Sequence, residues 1–200
     1  GKFSPDAASA GRRALRNAAL TLLSARNTAA DKVRLADHYW KASNMTDAAH
    51  ALYLLSARGG TDAKKALDDF HERWKGDHLV IDTWFAAQAM SPLAGTLSRV
   101  KALMKHPLFS LTAPNKVRAL IGNFSAQNPV QFNRPDGAGY EFVAQQVLAI
   151  DKFNPQIAAR MLAPGRRKLA REALRKVAKA KGLSRDVTEI VTKMLDMSAT

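Results

Sequence analysis

The chain has no cysteine in its 200 residues, which excludes disulfides, thiolate metal sites and a cysteine nucleophile. That absence fits a cytoplasmic protein. No apolar run approaches the roughly 18 to 20 residues of a membrane span, so no membrane partner is expected. A secretory signal pattern is also lacking, but Gly1-Lys2 stands where an initiator Met would be. A fragment or processed form is therefore expected, and the missing signal says little about targeting. Acidic residues are scarce, 17 against 31 Lys and Arg, for a formal charge of +14. Such an excess raises nucleic acid or another anionic surface as a partner. It also arises when a basic domain is cut from a larger, more acidic protein.

Catalytic signatures are missing as well. No nucleophile elbow, phosphate loop or dinucleotide fingerprint is present, and Gly137-Ala-Gly139 reads as a turn. His71-Glu72-Arg-Trp-Lys75 begins like His-Glu-x-x-His but carries Lys where the second imidazole belongs. A zinc site of that type needs both histidines on one helical face, so no metal site is expected in this segment. His38, His50, His78 and His106 lack ligand spacing. The acids, among them Asp31, Asp62, Asp68, Asp69 and Asp186, fall on helix starts or exposed faces, and no catalytic pair stands out. These residues alone do not make the chain an enzyme.

What is present is helix throughout. Hydrophobic residues make up 46% of the chain, enough for a substantial core. Ser4-Pro5-Asp6 reads as a helix start, followed by a buried stripe of Leu15, Ala18, Ala19 and Leu22. Val33, Ala36 and Trp40 mark one side of a second helix. Thr46 and Thr61 are expected to cap a third and a fourth. Leu79 to Met90 is apolar nearly all round and reads as a central buried helix. Val117, Leu120, Ile121 and Phe124 recur at i, i+3, i+4 and i+7. Asn154-Pro155 suits a cap and a first helical position, and Asp136-Gly137 with Gly139 suits a turn at positive φ. A basic helix with Leu169, Ala173, Leu174 and Val177 inward carries Lys168, Arg171, Arg175 and Lys179 opposite, and Ser184 caps the last helix. The expectation is all-α: about eleven helices in antiparallel pairs, stacked as a degenerate ARM/HEAT-like superhelix, in one domain over residues 1–200.

Arg118 lies off the stripe of its helix, on a face shared with Gly122 and Ser125. Gln156 and Arg160 are four apart and project from one face. Polar groups among small residues there point to a lined cavity or a close contact.

Five segments carry a resemblance: Asp82-Thr-Trp-Phe-Ala-Ala-Gln88, Asn115-Lys-Val-Arg-Ala-Leu-Ile-Gly-Asn-Phe124, Asn128-Pro129, Asp136-Gly-Ala-Gly-Tyr140 and Asn154-Pro-Gln-Ile-Ala-Ala-Arg160. Together with Gly11-Arg-Arg-Ala-Leu-Arg16 they resemble, in order, the C-terminal helical domain of the bacterial aminopeptidase N family, zinc alanyl aminopeptidases. The run from Arg166 to Lys181 matches least. The resemblance implies a domain that is itself non-catalytic and closes over a catalytic domain upstream, its partner in the same polypeptide. That absent domain would hold the zinc, the catalytic glutamate and the amine-recognition loop. The resemblance also implies that Arg118, Gln156 and Arg160 line the enclosed cavity and bind peptide substrates, and that the segment alone is inactive. The alternative is a helical-repeat binding protein whose basic face meets nucleic acid or an acidic protein. No aromatic interrupts that basic run to stack on bases, so nucleic acid is the weaker of the two partners.

Overall fold

The computed structural model describes residues 3–162 and 167–196, and among them every regular element is helical. The chain divides into two compact units, Gly1–Leu93 and Ala94–Thr200.

The first unit holds α1 (Ala7–Ser24), α2 (Ala29–Trp40), α3 (Met45–Arg58), α4 (Gly60–Trp74) and α5 (Ile81–Ala89). Helix α3 sits at its centre and packs against the other four. Leu35, Tyr39, Leu52, Phe70, Ile81 and Phe85 form the core, each at most 3% exposed. Helix α5 is buried on every side, as its composition predicts, although Leu79 before it lies outside the helix and is exposed.

Several start signals resolve differently from expectation. Asp6, not Ser4, caps α1, accepting from the Ser9 amide at 2.9 Å, while Ser4 donates to its other oxygen. Asn44 caps α3 in place of Thr46, because its extended backbone aims the side-chain oxygen at the Asp47 amide, 3.0 Å away. Gly59 at φ 69° ends α3 and begins α4 directly, so Thr61 falls inside the helix. The stripe expected to be buried on α1 is turned outward: Leu15 and Leu22 are 73% and 75% exposed, and Asn17, Leu20 and Ser24 face inward. Helix α2 repeats the inversion. Leu35 and Tyr39 are buried, whereas Val33 and Trp40 are exposed.

The second unit runs through α6 (Thr96–Leu103), α7 (Pro114–Val117), a π turn (Arg118–Gly122), α8 (Asn123–Gln127) and α9 (Pro129–Phe132), then α10 (Ala138–Asp151), α11 (Pro155–Arg160), α12 (Arg167–Ala178) and α13 (Arg185–Asp196). Helix α10 packs on α11 and on α12, and α13 packs on α12 and on α11. Superhelical stacking produces that pattern, since each helix is layered on the one two back. Val117, Leu120, Ile121 and Phe124 are all 1% exposed or less, so this stripe points inward as its spacing predicts. Gly137 adopts φ 72°, but Gly139 serves a different purpose from the expected turn. A Cβ there would lie 2.2 Å from the Phe132 carbonyl oxygen, so Gly139 lets α10 approach the end of α9.

Ser184 caps α13 through the Val187 amide, and the buried Asp151 at the end of α10 accepts from the Ser184 amide at 2.8 Å. On α12, Leu174 and Val177 are buried, Leu169 and Ala173 partly so, and Arg175 and Lys179 are exposed. Arg166 and the side chain of Lys168 lie outside the described residues.

Candidate functional site

Arg118, Gln156 and Arg160 all belong to the second unit, and all three are exposed. Arg118 opens the π turn set within the continuous helical run 114–127. A π turn inserts one extra residue into the hydrogen-bond ladder and so rotates the helix beyond it. A Cβ placed on Gly122 would meet the Arg118 Cβ at 3.8 Å, so the two positions are neighbours as the spacing predicts, while Ser125 is buried. One guanidinium nitrogen of Arg118 donates to Asn115 Oδ1 at 3.2 Å, leaving its other N–H groups directed to solvent.

Gln156 and Arg160 stand one turn apart on α11. Asn154 caps that helix through the Ile157 amide at 3.1 Å, and Pro155 occupies the first position. Ile157, Ala158 and Met161 are buried and clamp the opposite side. The Gln156 and Arg160 face is therefore carried on a fixed backbone. Among the described residues no hydrogen bond or ion pair joins Arg118 to either of them. The apolar cavity of about 30 Å³ between α10, α11 and α12, lined by Phe132, Tyr140, Val143, Met161 and Leu174 among others, includes none of the three.

The first unit holds a cleft that spacing did not reveal. It measures about 330 Å³ and is lined by Arg16, Arg34, Asp37, His38, Lys41 and Asp47, with Ala42 and Ser43. Asp47 is buried, and its Oδ2 accepts from Arg16 at 2.7 Å and Asn44 at 2.9 Å. Its Oδ1 and the His38 Nε2 are buried without a hydrogen-bond partner. Burial pushes the His38 pKa below its usual value, the nearby Asp47 charge opposing. Arg16 and Asp47 are 31 residues apart, so no local pattern could have joined them.

Elsewhere, the Lys75 ammonium pairs with Glu72 at 2.7 Å and holds its carboxyl below the usual range, while the His71 ring lies 4.9 Å from Trp84. Among the described residues, no cluster of three or more His, Asp or Glu side chains is arranged to hold a metal ion. No described helix is long and apolar enough to cross a membrane.

Known proteins share both the sequence and the fold of this chain. A family model described as a domain of unknown function (DUF3458_C) with ARM repeats matches residues 1–196. The chain is 45% identical to aminopeptidase N of Caulobacter vibrioides over 98% of its own length and 24% of that protein's. It is 34% identical to aminopeptidase N of Escherichia coli, over 92% of this chain and 22% of that one. A crystal structure of Legionella pneumophila aminopeptidase A in complex with aspartic acid superposes with a TM-score of 0.84 at 30% identity, covering 98% of this chain and 25% of the other. The chain thus spans about a quarter of the length of the relatives it matches, in their C-terminal portion. By fold and by sequence over nearly its whole length, it belongs to the DUF3458_C family of ARM-repeat domains.

Proposed function

We propose that residues 1–200 act as the non-catalytic C-terminal domain of a zinc-dependent aminopeptidase N, a cytoplasmic enzyme that removes N-terminal residues from peptides. One observation carries this reading: aminopeptidase N relatives match nearly all of this chain with only a quarter of their own length. In that setting the domain caps a catalytic domain upstream, narrows access to the cavity and excludes large folded substrates. The metal and its ligands belong to the upstream part. This chain does not fit them, since Lys75 stands where a second imidazole would be needed and is spent on Glu72.

The contribution of this chain is to hold the peptide. Arg118, Gln156 and Arg160 present polar groups to solvent from anchored backbone, so they can meet a ligand without first breaking a buried ion pair. A guanidinium offers planar paired donors for a peptide carbonyl or a C-terminal carboxylate, and an amide side chain can both donate and accept. The π turn at Arg118 supports the same reading, because such turns occur often at functional positions.

The test is to express the isolated chain and the full polypeptide of its gene side by side. The full polypeptide should hydrolyse an alanyl chromogenic substrate, and the isolated chain should not. Hydrolysis by the isolated chain with stoichiometric zinc, or an inert full polypeptide, would overturn the proposal.

A further inference from the structure

Helix α1 is mounted with its apolar side outward. At 100° per residue, Ala8, Gly11, Leu15, Ala18, Ala19 and Leu22 fall on one face, and all six are exposed. The inward face is mostly polar, with Asn17, Leu20 and Ser24 buried. Polar links hold that inner side to the unit: Arg16 to Asp47 at 2.7 Å, Thr21 with His50 at 2.8 Å, and Arg58 to the Ser24 carbonyl at 2.6 Å. An amphipathic helix normally buries its apolar stripe against its own domain. Here the stripe has no cover from within the unit.

Gly11 adds an independent observation. Glycine inside a helix is unfavourable relative to alanine, so a reason for it is expected. Among the described residues none is found, because Gly11 has helical backbone and a Cβ placed on it would meet nothing within 4 Å. Gly139 shows what such a residue does when its neighbour is present, since its missing Cβ admits a backbone. On α1 the small residues Ala8, Gly11, Ala18 and Ala19 flank two leucine ridges, a surface shaped for close approach of another backbone.

We infer that the outward face of α1 is the docking surface for the polypeptide that precedes this chain in the full-length protein, with Leu15 and Leu22 as its anchors. This rests on the proposed function. The lengths involved identify the occupant: the relatives carry about three-quarters of their length outside the matched region, which is C-terminal. Because the matched region is C-terminal in the relatives, α1 is the described helix nearest in sequence to that unmatched length. A tethered segment meets the face at high effective concentration, which a second free copy does not.

Hydrogen exchange on the isolated chain and on the full polypeptide tests this without using activity. The amides of residues 7–24 should exchange at least roughly tenfold more slowly in the full polypeptide. Leu15→Arg combined with Leu22→Arg should abolish that gain while leaving the melting temperature and monomeric state of the isolated chain unchanged. Equal protection in both forms would overturn the inference. So would a melting temperature that falls in the isolated chain, because the face would then be packed internally. An isolated dimer dispersed by the double substitution, with full-length protection unaffected, would give the face to a second copy instead. A gene with no upstream segment sinks both this inference and the proposed function, whereas a full polypeptide that protects α1 but lacks peptidase activity sinks only the latter.

Discussion

Helix α1 and the run from Pro114 to Gln127 are written with the same helical period and fold in opposite senses. In the run, Val117, Leu120, Ile121 and Phe124 all point into their own unit. In α1, Leu15 and Leu22 point away from theirs, and the helix is fastened to the unit instead by Leu20 and a set of polar contacts. Periodicity identifies a face that needs cover. It does not say which part of a protein supplies the cover, and the difference matters most for a domain taken from a longer polypeptide.

The largest test of this contrast is Phe124→Ala. Phe124 is fully buried and makes edge contacts with Phe132 and Phe142, ring centroids 6.2 and 5.8 Å apart. Truncation should cost the isolated chain about 3 to 5 kcal/mol in urea unfolding. A cost below 1 kcal/mol would mean that this face is no better packed than α1.

Gly139→Ala should cost about 1 to 3 kcal/mol, since its Cβ would be driven into the Phe132 backbone. Unchanged stability would show that α9 and α10 do not approach as closely as described.

Tyr39 sharpens the comparison within the first unit. Its single hydroxyl proton is shared between Asp69 Oδ2 at 2.7 Å and the Ala66 carbonyl at 3.1 Å. Tyr39→Phe should cost about 1 to 2 kcal/mol. Burial first, then the Asp69 hydrogen bond and charge, raise the Tyr39 pKa above the usual phenol value. A raised folded pKa stabilises the protonated form, so this contribution is complete below about pH 10 and is lost as pH climbs toward the raised value. Burial also raises Tyr53, which the variant keeps. The alkaline loss of stability should therefore be shallower in Tyr39→Phe but not absent. Identical pH profiles would contradict the described hydrogen bonds.

The smallest effects belong to α1. Leu15→Ala or Leu22→Ala should move the stability of the isolated chain by no more than about 0.5 kcal/mol. Gly11→Ala should raise it by about 0.5 to 1 kcal/mol, because the added methyl meets open space and removes backbone freedom from the unfolded chain. Core-sized losses at Leu15 would show that the sequence expectation of an inward stripe was right after all.

How far a feature could be read from the sequence depends on the range of the interactions behind it. The all-helical architecture, the buried helix α5, the inward stripe at 117–124 and the caps at Asn154 and Ser184 rest on neighbours within a turn or two. All were legible. The competition between caps was not: Asn44 and Thr46 are both able acceptors, and only the extended backbone at Asn44 decides between them. The orientation of α1 depends on Arg16, Thr21 and Ser24 finding Asp47, His50 and Arg58, 29 to 34 residues on, which no local pattern encodes. At the candidate site, the shared face of Gln156 and Arg160 was visible from spacing alone. The π turn that begins at Arg118 was not: its last residue, Gly122, is unfavourable inside a helix, but a single glycine does not specify a π turn.

The central proposal is that this chain holds peptide substrates for a catalytic centre elsewhere in the full polypeptide, and Arg160→Ala in that polypeptide tests it most directly. Steady-state kinetics should be compared on peptides of four or more residues and on a single-residue chromogenic substrate. A guanidinium that binds the peptide beyond the scissile bond predicts a KM for peptides raised roughly 10- to 150-fold, the range for losing one charged hydrogen bond. The turnover number should stay nearly constant and the short substrate should be almost unaffected, the signature of lost uniform binding. Equal effects on both substrates, or a fall in turnover alone, would contradict the account.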